Sequence, residues 1–518
     1  MRKLTFLTAS LAVSTLAACG SLASRAGAPM HAHYQPSHPS AVMGVAPLPP
    51  PSPTSIAMAD TSTPGSERYK DYGVNPIVDA SKDRLSTFAV DVDTASYAIA
   101  RRKLEEGTLP PFQAVRAEEF LNYFEYAYKA PEKGTFAVTS EAAPSPFAAG
   151  HHLVRVGVQA RRVPDAQRKP VHLVYLVDVS GSMNGPDRIE LAKKSLRILT
   201  GSLRPGDTVA LSTYAGNVRE VLAPTGVDQR AKILAAIDDL SAGGSTAMAS
   251  GIELAYKLAE KTRVPGHVSH VVILSDGDAN VGTTSHEEIL KTIAAHKKEG
   301  ITLSTIGFGS GNYQDVMMEQ LADKGDGNYR YIDSEREARR VFGKQVSGML
   351  EAVARDVKVQ VEFDPSVVKE YRLLGYENRD VADKDFRNDK VDGGEVGSGH
   401  AVTAVYDVVL TRTDASPLTV RLRAMPASGE GAAVETAFEM KAGDIAPSFA
   451  KTSDDFRFAT AVAGFAEVLR KSPHAKGVRL VEVEQIAVDS AAGRDDRLEL
   501  VSLVRRARKL TDDAEVAR

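Results

Sequence analysis

The sequence predicts an α/β protein, a doubly wound and mostly parallel sheet flanked by a small α+β N-terminal segment and a β-rich C-terminal domain. Three observations carry that expectation. Apolar runs at residues 171–177 and 271–274 are bounded by turn residues, as in strands buried on both faces. Between about residues 170 and 345 strand and helix patterns alternate, which is the spacing of parallel βαβ units. Beyond about residue 350 the texture changes to short extended runs.

In chain order, residues 85–92 read as a strand. Helical spacing follows at 94–106 and 114–124, separated by the break Gly107-Thr-Leu-Pro110-Pro111. Extended runs at 136–139 and 153–158 complete the first segment, expected over 82–165. The central region, expected over 170–345, places strands at 171–177, 208–213, 218–222, 270–274, 301–307 and 328–332. Its helices fall at 188–203, 228–240, 248–261, 287–298 and 313–322. Right-handed crossovers would bring the loops after 177, 213, 274 and 307 to one edge of the sheet. The last region, expected over 350–512, has strands at 357–363, 370–374, 401–410 and 418–422. Two helices close it, an amphipathic one at 454–470 and a final one at 495–510 that ends in a basic cluster.

Composition narrows the function classes. The 63 Lys and Arg against 67 Asp and Glu leave a net charge of -4, with no push toward nucleic acid. The one cysteine, Cys19, excludes a disulfide within the chain. Arg2-Lys3 precede an uncharged Leu- and Ala-rich stretch that ends in Leu16-Ala-Ala-Cys19-Gly20. A basic start, a short apolar run and small residues form a secretory signal over 1–19. The pattern resembles a bacterial lipobox, which implies that Cys19 is lipidated and that Gly20 sorts the chain to the outer membrane, facing periplasm or cell surface. Residues 20–70 are rich in Pro, Ala and Ser, cannot bury a core and read as a tether.

The chemistry concentrates at two strand ends. Asp178-Val-Ser180-Gly-Ser182 follows the first apolar run, and Ser275-Asp276-Gly277-Asp278 follows the second. Between them lies the glycine-rich Ser241-Ala-Gly243-Gly244-Ser245-Thr246, whose small residues permit close approach of backbone. Hard oxygen donors at the carboxyl ends of parallel strands suit a hard cation, Mg²⁺ first, with Mn²⁺ or Ca²⁺ as alternatives. The set Asp178, Ser180, Ser182, Thr246 and Asp276 resembles the metal-ion-dependent adhesion site of von Willebrand factor type A domains, which have a Rossmann-like fold. That resemblance implies these five residues as ligands, some through water, and a protein partner whose Asp or Glu completes the shell. Two flanking stretches extend it over roughly 80–510: Ser86-Thr-Phe-Ala-Val-Asp91-Val-Asp93-Thr94, and Tyr376-Glu-Asn378-Arg379 with residues 389–400. They are similar to the N-terminal segment and the C-terminal domain of bacterial von Willebrand factor type A lipoproteins.

Competing constellations are less complete. Asp91-Val-Asp93 invites a phosphatase reading, but its threonine stands one place early, at Thr94, so helix capping by Asp93 or Thr94 is preferred, with a second cation site left open. Gly243-Gly-Ser245 follows a helix rather than a strand, unlike a nucleophile elbow. No zinc, dinucleotide or phosphate-loop motif is present in the sequence. The leading expectation is therefore a membrane-anchored, cation-dependent protein-binding module of the cell envelope, not an enzyme, with no small-molecule substrate. A scaffold with a purely structural metal is the alternative, and a hydrolase using Asp91 and Asp93 is the weakest.

Overall fold

A computed structural model describes residues 67–516, apart from Thr246, residues 278–285 and Glu430. The described residues fall within one unit, Ser55–Arg518. The signal sequence, Cys19 and the tether up to residue 66 lie outside them. Residues 67–77, of which 67–70 belong to the stretch expected as tether, form a strap pinned by hydrogen bonds, with Asn75 Nδ2 donating to the carbonyls of Leu373 and Gly375.

The first part contains β1 (Val78–Asp79), β2 (Leu85–Ala89), α1 (Ala95–Glu105), α2 (Ala117–Tyr123), β3 (Phe136–Pro144) and β4 (His152–Ala160). Helix α2 begins later than the spacing predicts, because Arg116 is extended and a 3₁₀ turn at Phe112–Ala114 follows the two prolines. The central part runs β5 (Val171–Asp178), α3 (Ile189–Gly201), β6 (Thr208–Tyr214), β7 (Val218–Gly226), α4 (Arg230–Asp238), α5 (Met248–Lys261) and β8 (Val268–Ser275). It continues with α6 (His286–Lys298), β9 (Ile301–Gly307), α7 (Asp315–Lys324) and β10 (Tyr329–Tyr331), then the short α8 (Glu335–Arg339) and α9 (Val346–Leu350). The last part holds β11 (Ala352–Phe363), β12 (Val368–Leu374), β13 (Gly394–Gly397), β14 (Ala401–Leu410), β15 (Leu418–Pro426) and β16 (Val434–Glu439). Three helices close the chain: α10 (Asp454–Leu469), α11 (Leu480–Ser490) and α12 (Asp495–Val516).

The central sheet has the order β10-β9-β8-β5-β6-β7 and is parallel except for β7. Every residue of β5 is buried, as a strand covered by helices on both faces requires. Its side chains alternate between two cores. Leu173, Tyr175 and Val177 pack with Ala192, Leu196 and Leu199 of α3, while Val174 and Leu176 pack with Ile252, Ala255 and Ala259 of α5. From β5 the chain passes first to β6 on one side and later to β8 on the other. Strand order therefore reverses between β5 and β8, the switch point at which open α/β sheets leave a crevice at the carboxyl ends of their strands.

The two flanks share sheets. β2 pairs antiparallel with β11, and β4 with β14, giving the orders β1-β12-β14-β4-β3 and β13-β11-β15-β16 with β2 beside β11. Phe456, Phe458, Val462 and Phe465 of α10 pack against Tyr97, Phe120 and Leu121 from the N-terminal flank. The N-cap of α10 is Ser453, whose hydroxyl accepts from the Phe456 amide at 3.1 Å. Helix α12 runs past the basic cluster instead of ending there, and Arg505 and Arg508 both pair with Glu484 of α11. Among the described residues no helix is long and apolar enough to cross a membrane.

Candidate metal centre

β5 delivers Asp178 to the crevice, fully buried. One carboxylate oxygen accepts from the Ser180 amide at 2.9 Å, and the other accepts from the Ser275 hydroxyl at 2.9 Å. A 3₁₀ turn at Gly181–Met183 follows, anchored by the buried Met183. That turn holds the hydroxyls of Ser180 and Ser182 2.9 Å apart. From β8 comes Asp276, also buried, one residue after Ser275. Burial pushes the Asp178 carboxyl up to about 6, and the charge of Asp276 adds to the rise against the hydrogen bonds from Ser180 and Ser275.

The glycine-rich loop reaches the same place. The Gly181 amide donates to the Gly244 carbonyl at 2.9 Å, and the Gly243 amide donates to the Val179 carbonyl at 2.7 Å. Gly244 has φ +96°, a conformation that a side chain would strain. Thr246, expected as a ligand from this loop, lies outside the described residues. Of the five expected ligands, the fold thus brings together Asp178, Ser180, Ser182 and Asp276.

These donors fit a hard divalent cation. They are oxygens only, two carboxylates and two hydroxyls, and the hydroxyls keep acceptor lone pairs while bonding each other. Two buried carboxylates side by side repel, and a cation relieves that repulsion at its source.

Two residues that motif reading passed over shape the site. Ser275 orients Asp178, and its hydroxyl also accepts from the Gly277 amide at 2.9 Å. A hydroxyl beside an aspartate at the end of a buried strand is a signal that the sequence did contain. Arg188 is the other. Its Nη1 donates to the Ser182 carbonyl at 3.1 Å, its Nη2 donates to the Ser310 carbonyl, and its Nε stands 3.9 Å from Asp276 Oδ2.

The second acidic motif takes a different form. Asp91 and Asp93 are buried, but Arg379 Nε lies 3.3 Å from Asp91, and Arg330 and Arg379 lie 3.5 and 3.6 Å from Asp93. Neither Asp93 nor Thr94 caps α1, contrary to the expectation from sequence. Thr94 occupies the cap position without a side-chain bond to the helix amides: its hydroxyl accepts from Arg340 instead, and Asp93 accepts from the Tyr329 amide at 2.8 Å.

Residues 172–344 match the von Willebrand factor type A domain family, and residues 63–155 match a family described as von Willebrand factor. Residues 348–438 and 416–510 match the C-terminal family of the uncharacterized protein YfbK. The chain is 36% identical over 476 residues to YfbK of Escherichia coli strain K12, spanning 87% of this chain and 83% of that protein. It belongs to the YfbK family of von Willebrand factor type A proteins. The chain is also 25% identical over 200 residues to human inter-alpha-trypsin inhibitor heavy chain H1, covering 37% of this chain and 21% of that one. Among solved structures, a von Willebrand factor type A protein from Catenulispora acidiphila is similar with a TM-score of 0.44 and 16% identity, covering 74% of this chain and 91% of that chain. In this von Willebrand factor type A chain, the crevice between β5 and β8 is formed by the domain that gives the family its name, and both flanks fall in the matched regions.

Proposed function

We propose that this chain is a lipid-anchored, divalent-cation-dependent protein-binding module of the cell envelope. In this reading Asp178, Ser180, Ser182, Thr246 and Asp276 hold the cation, Mg²⁺ first and Mn²⁺ or Ca²⁺ as alternatives. A carboxylate from a partner protein completes its shell. The observation that carries the reading is the pair of Ser180 and Ser182 hydroxyls, 2.9 Å apart beside two buried aspartates at a strand-order reversal. When bound, the cation would supply an exchangeable coordination position at which a carboxylate from outside can replace water. The chain's own part is to hold its oxygens in place: the Ser180 amide and the Ser275 hydroxyl fix the rotamer of Asp178. The anchor rests on Cys19 and the proline-rich stretch after it, which would leave the crevice facing periplasm or cell surface, on the outer membrane.

Calorimetric titration of Mg²⁺ and Mn²⁺ into the wild type and Asp178→Ala tests the site. The wild type should bind one cation, and the variant should lose at least tenfold in affinity. Equal binding by the two proteins would refute the assignment. Radiolabelled palmitate incorporation in cells, abolished by Cys19→Ser, tests the anchor.

A further inference from the structure

The strap at residues 67–69 touches the loop beside the crevice, and the contacts continue to Arg188. Glu67 is the hub. Its carboxylate accepts from the Gly311 amide at 3.0 Å, from Arg102 Nη2 at 2.8 Å and from the Tyr69 hydroxyl at 2.7 Å, and it pairs with Lys103 at 3.0 Å. The Arg68 amide donates to the Tyr313 carbonyl at 2.9 Å, and Arg68 forms a parallel bridge with Gln314. Two consecutive strap residues, Glu67 and Arg68, therefore grip residues 311–314 through side chain and backbone together, and Tyr69 braces the Glu67 carboxylate.

That loop packs directly on the crevice. The Phe308 amide donates to the Ser275 carbonyl at 3.0 Å. A Cβ on Gly277, next to Asp276, would stand 2.8 Å from the Gln314 amide nitrogen. The Ser310 carbonyl receives Nη2 of Arg188, and Gly309 leaves the space in which the guanidinium lies, since a Cβ there would collide with it. Arg188 Nε makes no hydrogen bond of its own, so what it contributes to Asp276 is charge.

A guanidinium 3.9 Å from one of the two carboxylates competes with a cation for the same negative field. It stays there because Ser182 holds one of its nitrogens and Ser310 the other, and Ser310 belongs to the loop that the strap grips. We propose that the strap of residues 67–69 is a clasp that sets the cation affinity of the Asp178 face through Arg188. Docked, it keeps the guanidinium against Asp276 and the affinity low. Displaced, it frees the loop at 308–314, lets Arg188 withdraw and raises the affinity. The inference rests on the cation reading of the crevice. It deepens that reading by placing the control of the site in a segment on the N-terminal side of the domain that carries it.

The test is a double-mutant cycle on the full chain, with Mn²⁺ as the probe and calorimetry as the readout. Glu67→Ala should tighten Mn²⁺ binding at least threefold. Arg188→Met should tighten it as much or more, and the double variant should bind no more tightly than Arg188→Met alone. Hydrogen exchange should rise at least fivefold in peptides covering 308–314 of Glu67→Ala and stay unchanged in β5 and β8, which separates release of the clasp from general unfolding. Glu67→Gln, which retains hydrogen-bonding capacity but not charge, should fall between wild type and Glu67→Ala. The clasp is overturned if wild type binds Mn²⁺ and Glu67→Ala changes its affinity less than twofold. It is also overturned if the effect of Glu67→Ala persists undiminished in the Arg188→Met background. Absence of Mn²⁺ binding by wild type would instead sink the cation reading, and the clasp's effect on affinity with it.

Discussion

Two aspartate motifs in this chain look alike on paper and behave differently in the fold. Asp178 with Asp276, and Asp91 with Asp93, are both buried carboxylate pairs at or just beyond the carboxyl ends of strands. Around the first pair stand hydroxyls, glycine backbone and one guanidinium, which approaches Asp276 no nearer than 3.9 Å. Around the second pair stand Arg330 and Arg379, and Arg379 also meets Asp323 at 2.9 Å and Glu319 at 3.5 Å. On the proposed reading, one pair takes its cation from outside. The other already receives its cations from the chain, and serves as an ionic lock between the flanks and the central sheet. What separates them is the supply of counter-charge, and those arginines lie more than 230 residues away in sequence.

The largest effect should come from breaking the lock. Arg379→Ala removes the partner shared by Asp91, Asp93, Glu319 and Asp323 and leaves the buried Asp91 without the arginine that faces it, while Asp93 keeps Arg330. Removing one member of such a buried pair costs about 3–5 kcal/mol. Chemical denaturation should register that loss, whereas Mn²⁺ affinity, measured below the unfolding transition, should change less than twofold. A comparable loss of cation binding would mean that the two motifs are one system, and the contrast drawn between them would fail.

A second effect concerns pH. Burial, and then the charges of Glu377 and Asp91, push the Glu118 carboxyl up to about 8. A carboxyl whose folded pKa is raised keeps its proton in the folded state while the unfolded chain has released it. Folding stability therefore falls as pH climbs from about 4.5 toward 8, by up to about 1.4 kcal/mol per unit for this group. Glu118→Gln is neutral throughout, and its amide oxygen can still accept from the Tyr376 amide, now 3.0 Å from the Glu118 carboxylate. The variant should flatten the stability profile between pH 5 and 8 and be the more stable protein at pH 8, as read by urea denaturation at each pH. An unchanged slope would show that Glu118 is ionised in the fold.

Much of this was legible in the sequence, and the reason is physical. Buried parallel strands must be continuously apolar, so 171–177 and 271–274 mark β5 and β8, and a motif of the expected ligands follows each directly. Helix α5 at 248–261 and strands β9 at 301–307 and β14 at 401–410 fall where periodicity places them. What escaped was either weakly patterned or non-local. Strand β16, Val-Glu-Thr-Ala-Phe-Glu, is mostly exposed and carries little apolar signal. The pairing of β2 with β11 joins Phe88 to Val359, a register that no local window contains. Asp93 and Thr94 have the chemistry of helix caps, and only the distant Tyr329 amide and Arg340 explain why they cap nothing. The role of Arg188 likewise depends on Ser310, which reaches it through the fold.

The finest discrimination lies in Ser275, which belongs to the crevice but touches no expected cation position directly. Its hydroxyl spans Asp178 Oδ2 and the Gly277 amide, both at 2.9 Å. Ser275→Ala removes about one neutral-to-charged hydrogen bond and leaves one buried amide unpaired, a cost of about 1–3 kcal/mol. That is less than the lock is worth, yet the cation should notice it more. An aspartate free to change rotamer must be reordered when it binds, and loss of such an orienting partner typically weakens a metal site about 10–100-fold. Calorimetry should therefore show Ser275→Ala losing at least tenfold in Mn²⁺ affinity at a stability cost below that of Arg379→Ala. If the order is reversed, with stability collapsing and affinity intact, Ser275 serves packing at the end of β8 and Asp178 is held by the Ser180 amide alone.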